Sequence, residues 1–385
     1  MTRTLALPIA VVALLLACGD TTAPATAGAC GNAQPAGTPA CASADAVWAG
    51  SDYSSSAVGS FTVAGAITST AGKVDLGSDP AIASSRGRLF YVARDEDVVF
   101  ELDPVCGTPR ARYDVHLASH DGTSDPYDLA VASDGSMWVP LFQAAAILVL
   151  APDCSQAAAI DLSPYDGDGN PDASAIAIVD TPAGEKAFVA LDRLNPYPTS
   201  VQPSWMLRID VATRAVEATI PLAGRNPFGT MRLDGTALWL AEPGNFDDAT
   251  ELDAGVERFD TATSTTALVA HELDLGGSVA DVAITGGCGA AIVAGPASNV
   301  NPTALALFDP STGTVRASAS ASPLTTTGFD LEGLAWAGGA LLVGDRRRAS
   351  SGYPVHAFDG ACTPTERPDA VFLPMPPIAI VPVSP

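Results

Sequence analysis

Basic residues are scarce in this 385-residue chain. It carries 19 Lys and Arg against 43 Asp and Glu, a formal net charge of −24. That balance argues against a nucleic-acid partner and against adhesion to anionic headgroups, both of which need a cationic surface. Only one long apolar run exists, Leu5 to Ala17, and its 13 residues fall short of the roughly 20 a bilayer span needs. Outside it, no 12-residue stretch carries a helical apolar stripe, which argues against an α or α/β fold. Histidine is rare, and His116, His120, His271 and His356 show no zinc spacing. There is no CxxC pair for a metal ribbon or a redox couple, no CxxCH for haem, and no GxSxG for a nucleophile elbow.

The leader is the first feature that is present. Arg3 and the Leu5–Ala17 run match a secretory signal's charged start and apolar core. The run ends in Leu15-Leu16-Ala17-Cys18, which resembles the bacterial lipoprotein signal. The resemblance implies cleavage after residue 17, lipidation of Cys18 as the first mature residue, and, with Gly19 rather than Asp following, sorting to the outer membrane, facing the periplasm or the cell surface. The alternative is an ordinary cleaved signal. Without Arg3 the mature net charge is about −25. One or two acyl chains would be the sole anchor. Residues 18–44, rich in Ala, Gly, Thr and Pro, read as a flexible tether. Six cysteines besides Cys18, namely Cys30, Cys41, Cys106, Cys154, Cys288 and Cys362, suggest three disulfides in an exported chain. Pairing Cys30 with Cys41 is the simplest choice, and the other four then allow three connectivities.

Residues 45–385 repeat at roughly 45 to 50 residues, a period of propellers and solenoids. The clearest marker is a short apolar run ending in Asp before a turn: VVFELDPVCG (98–107), WMLRIDVATR (205–214), GVERFDTATS (255–264), ALALFDPSTG (304–313) and VHAFDGAC (355–362). Another run precedes each, as in LFYVAR (89–94), AFVALDR (187–193), ALWLAEPG (237–244) and ALLVGDR (340–346). Such runs of 5 to 7 residues, split by Gly, Pro, Asp and Asn, are strands. Tyr91-Val92-Ala93-Arg94 followed by VVFELD resembles the bacterial YVTN repeat, related to the NHL and quinoprotein-type propellers.

The resemblance implies an all-β ring of four-stranded antiparallel blades. Phasing gives inner strands at 80–85, 127–132, 173–179, 228–233, 280–285 and 331–336, and a last one at 376–383 with no second strand after it. The segments 46–50, 58–63 and 67–76 supply the missing three. The C-terminal strand thus joins the N-terminal blade, giving seven blades without a free edge; six blades is the alternative. Outer-to-inner and second-to-third connections then share one face, here the upper, and the long loops at 192–204, 242–255, 295–302 and 344–354 all lie there. The placeable cysteines, Cys106, Cys154, Cys288 and Cys362, fall on the lower face.

Two groups of oxygen ligands stand out. Asp166, Asp168, Asn170 and Asp172, at alternate positions, suit calcium. Pro171 replaces the glycine of an EF-hand loop and Ala177 its closing glutamate, so a borrowed carboxylate such as Asp161, Asp125 or Asp128 would be needed; a plain polar turn accounts for the same residues. Asp125, Asp128, Asp281, Asp330 and Glu332 fall near the upper ends of inner strands, as a ring at the channel mouth for a cation or polar ligand, or as a solvated rim. Glu242, Asp247, Asp248, Glu251 and Asp253 read as an acidic upper loop and Arg346, Arg347 and Arg348 as a basic one, with Tyr197, Trp205, Phe246 and Tyr353 adding aromatics. Trp138, Trp239 and Trp336 read as packing between blades. The resulting expectation is a monomeric, outer-membrane-anchored binding scaffold for a protein or glycan, with calcium as its only cofactor. The alternative is a metal-dependent hydrolase or lactonase at the upper channel mouth.

Overall fold

The computed structural model describes residues 44–385, apart from 64–67, 73–75, 106, 196, 246–252, 296–301, 361, 369 and 384–385. Cys18, Cys30, Cys41, Cys106, Phe246, Asp247, Asp248 and Glu251 lie outside the described residues. Seven antiparallel sheets form seven blades. Their inner strands, for blades II to VII, are Pro80–Ser85, Ala130–Val131, Ala173–Thr181, Phe228–Asp234, Ser278–Thr285 and Leu331–Ala337. Blade I takes its inner strand, Pro377–Pro382, from the C-terminus. It pairs antiparallel with Ala46–Ser51, placing Val47 opposite Val381 and Trp48 opposite Ile380. This is the closure expected from the phasing. Two strands are less regular. The inner strand of blade III is cut to two residues plus a bridge between Pro126 and Leu141. The outer edge of blade VII is split into Thr365–Glu366 and Val371–Leu373, both pairing with Tyr353–Asp359.

Strand alternation sends side chains to both faces of each blade, and each face is buried against a neighbour. Seven apolar clusters result, one per interface between adjacent blades. Trp138 fills the interface of blades III and IV and Trp239 that of V and VI. Trp336 is partly buried, packs against the cluster between blades VI and VII and also lines the lower channel, so the expectation of blade packing holds for all three tryptophans. Gly289 lies directly opposite Phe308, whose ring covers the space a Cβ would need.

The repeat's terminal Asp has a local cause. Asp103, Asp210, Asp260 and Asp309 each turn Oδ1 toward a backbone N–H two or three residues on, at 2.7, 2.8, 3.0 and 2.9 Å. These side chains satisfy the tight third-to-outer turns of the lower face. The same face carries a disulfide between Cys288 and Cys362, joining a lower turn of blade VI to one of blade VII. Cys154 is also disulfide-bonded.

Candidate upper-face binding site

Two chambers occupy the channel. An upper chamber of about 190 Å³ and a lower one of about 590 Å³ meet at Ile82, Thr230, Arg232 and Val381. Inner-strand residues line both, because inner strands run from the upper face to the lower.

The upper chamber is not the carboxylate ring expected from the sequence, since arginines enter it. Arg94, just after the second strand of blade II, bonds Asp125 Oδ1 at 3.0 Å and Asp79 Oδ2 at 3.0 Å, and stacks on Tyr127 at 3.7 Å from the ring centroid. Arg346 pairs with Glu332 and reaches the Tyr53 hydroxyl at 3.1 Å. Arg232 lies 3.7 Å from Asp281. Asp128 lies deeper, lining the lower chamber, and no arginine among the described residues forms an ion pair with it. It accepts the Leu129 N–H at 2.8 Å and, across the blade gap, the Ile176 N–H at 3.0 Å, tying inner strand III to inner strand IV. Asp330 stays in its own crossover, accepting the Gly328 N–H at 2.9 Å.

Burial lifts carboxyls here. It pushes Asp128 up to about 7 against the pull of its two N–H donors, and Glu332 up to about 7 against Arg346. Asp125 and Asp281 rise for the same reason, opposed by Arg94 and Arg232. The Asp281 side chain is 25% exposed to the channel, so water relieves part of that burial.

The loop at 166–172 uses its oxygens internally. Asp166 accepts from Gln202 Nε2 at 3.0 Å, Asp168 from the Asn170 N–H at 2.9 Å, and Asp172 from the Leu194 N–H at 2.8 Å. Asn170 Nδ2 donates to the Phe142 carbonyl at 3.0 Å. The loop therefore staples the 192–204 loop to blade III, and burial pushes Asp172 up to about 7. Asp161 caps the Ser163 N–H instead of reaching into it. No three His, Cys, Asp or Glu side chains among the described residues group as a metal's ligand set.

Two kinds of upper-face residue escaped the sequence reading. The channel arginines are Arg94, at the end of the LFYVAR run, and Arg232, inside an inner strand, and neither run's pattern points to the channel. Glu242, read as part of an acidic upper loop, is fully buried, as is Glu257 below it. The two-residue spacing of Glu242 after Leu238 and Leu240, both buried, is the signal that gives its direction. Of the basic loop, Arg347 is held by Asp345 at 2.7 Å and Arg348 sits 5.8 Å from the Tyr353 ring. Arg193 stacks on Trp205 at 3.6 Å.

These features define a seven-bladed β-propeller with a polar, aromatic-rimmed upper mouth. No protein-family model matches the sequence, and no curated protein matches it. Solved structures share the fold. A 6-phosphogluconolactonase candidate from Bacteroides uniformis is 12% identical over 87% of this chain and 98% of its own, with a TM-score of 0.55. Another from Bacteroides fragilis is 14% identical over 89% and 99%, with a TM-score of 0.52. The WD40 repeats of RRP9 are 14% identical over 77% and 82%, with a TM-score of 0.51.

Proposed function

We propose that the chain is an exported, lipid-anchored binding propeller whose upper face takes a neutral glycan. The observation that carries this is the distribution of exposed apolar side chains. Among the described residues, Tyr53, Tyr197, Val201, Phe228, Leu273 and Phe329 are large, apolar and exposed on the upper face, against Leu233 and Phe372 elsewhere. Phe228, Phe329 and Tyr53 rim the upper chamber. Exposed rings concentrated on one face mark a binding surface. The charges there come as ion pairs, three arginines against four carboxylates, which offer both donors and acceptors. A polyhydroxyl ligand uses both, and its C–H faces lie on aromatic rings. The leader ending in Cys18 supports the anchor, and the described chain enters blade I at Ala46 from the lower face, which favours an upper face turned away from the membrane.

The test is glycan-array screening of the mature chain, followed by titration of Phe329→Ala. Loss of about tenfold in affinity with an unchanged Tm is expected. Binding only to envelope proteins would replace the glycan by a protein partner. Turnover of a lactone or ester, abolished by chelation, would replace the binding role by an enzymatic one.

A further inference from the structure

The interface between blades IV and V ends, at the upper face, in carboxyls instead of apolar side chains. On the face of blade V toward blade IV, Leu238 and Leu240 are followed at the same spacing by Glu242, and Phe259 is preceded by Glu257. Leu240 pairs with Glu257 and Glu242 with Gly255, which makes the two glutamates diagonal neighbours on one face. From blade IV, Asp192 continues the row of Phe188 and Ala190. Glu242 and Glu257 are 0% exposed and Asp192 is 3% exposed.

Their hydrogen bonds do not balance. Glu257 Oε2 accepts the Ala223 and Gly224 N–H groups at 2.9 and 2.8 Å. Asp192 Oδ1 accepts the Ser174 hydroxyl at 2.5 Å. Glu257 Oε1 and both oxygens of Glu242 have no donor among the described residues apart from each other's carboxyl. No Lys or Arg among the described residues forms an ion pair with either glutamate. Gly224 is what lets Glu242 in, since a Cβ at 224 would fall on its Oε2. A buried carboxylate without a partner costs several kcal/mol, so a positive charge must enter this gap. Three bare oxygens from two carboxylates, with no nitrogen or sulfur donor, suit a hard divalent cation.

We propose that Glu242 and Glu257 hold a calcium ion between blades IV and V, with Asp192 adding its charge from the facing blade. The ion fastens the second and third strands of blade V to the crossover at Ala223–Gly224. The two glutamates are separate from the 166–172 loop, which touches the site only through Asp192, whose N–H bonds the Asp172 carbonyl at 3.1 Å. The competing occupant is a proton shared by the two glutamates, and burial does push Glu242 upward.

The experiment is equilibrium dialysis with calcium, paired with thermal melting, on the full mature chain stripped with EDTA at pH 8. Wild type and Asp168→Ala should each bind calcium, and saturation should raise Tm by about 2 °C or more. Glu242→Gln and Glu257→Gln should lose that ion and the rise in Tm. Asp192→Asn, which keeps an acceptor for Ser174, should bind more weakly, and it carries the test if the glutamine variants do not fold. Two results overturn the proposal. One is a wild type that takes up no calcium and is stabilised by Glu242→Gln, which assigns the gap to a shared proton. The other is binding that survives Glu242→Gln and disappears in Asp168→Ala, which moves the ion to the 166–172 loop.

Discussion

On the lower face, Asp210 and Asp309 cap turns in contact with water, and both carboxyls sit at about 2. For Asp210 the Lys186 ammonium leads, followed by Thr213; for Asp309 the Ser311 hydroxyl leads. On the upper face, Asp172 and Glu332 sit at about 7 and Glu272 at about 8, and deeper in the channel Asp128 sits at about 7, each raised by burial. The same residue types recur at both ends of every blade, so the difference comes from position. A third-to-outer turn leaves its Asp in solvent with backbone N–H groups to accept. The upper ends of inner, second and third strands deliver carboxyls into blade interfaces or the channel. Charge stabilises the lower rim, as it does at Asp52 and Asp345 on the upper face, both at about 2 where donors face them; upper carboxyls buried without such donors must be neutralised by arginine, a cation or a proton.

The largest effect expected from this contrast is in the pH dependence of stability. For the raised carboxyls, Asp128, Asp172, Glu332 and Glu272, the folded value lies above the ordinary value near 4. Their contribution is complete below about pH 4 and is lost as pH rises to 7–8. The slope is about 1.4 kcal/mol per pH unit for each net proton released. The lower carboxyls, with folded values near 2, contribute above about pH 4 and lose that contribution as pH falls. Urea midpoints in EDTA should therefore peak near pH 4–5 and decline toward pH 8. A midpoint that is flat or rising from pH 5 to pH 8 would remove the contrast.

Next in size is the disulfide. Cys288 and Cys362 close a loop with a sequence separation of 74. In the loop-entropy model the bond contributes about 4 kcal/mol. Cys288→Ser with Cys362→Ser should lower the urea midpoint accordingly at every pH, because neither sulfur touches the upper carboxyls. A loss confined to alkaline pH would mean that the two ends are coupled through blades VI and VII.

The ring itself was legible in the sequence because its markers are local. An Asp-terminated strand and its turn need only neighbours within three residues, and repetition supplied the phase, down to the C-terminal strand that closes blade I. The placement of Cys288 and Cys362 on one face followed from that phase, but their pairing needs the distance between two blades. The channel mouth was legible only by half. Asp125 and Glu332 could be placed there, but Arg94 meets Asp125 31 positions away and on a different blade. Nothing in the repeat around YVAR specifies that contact. Glu242 failed for another reason. It is followed by Pro-Gly-Asn-Phe-Asp-Asp, and the loop's composition outweighed the strand's alternation, which had already fixed the glutamate's direction.

The smallest effect concerns a single turn. Asp309 Oδ1 accepts the Ser311 N–H at 2.9 Å and its hydroxyl at 2.6 Å, while Oδ2 meets Arg316 at 2.9 Å. Asp309→Asn keeps an acceptor for the Ser311 N–H but gives up the charge facing Arg316. The variant should therefore be slightly less stable than wild type at pH 7, and the two should converge as pH falls toward 2 and the wild-type carboxyl protonates. Melting both proteins at pH 7 and at pH 2–3 checks this. If the deficit persists unchanged into acid, geometry alone holds the turn and the low carboxyl value is incidental to it. The ends of the propeller would then differ in burial but not in the sign of what charge does there.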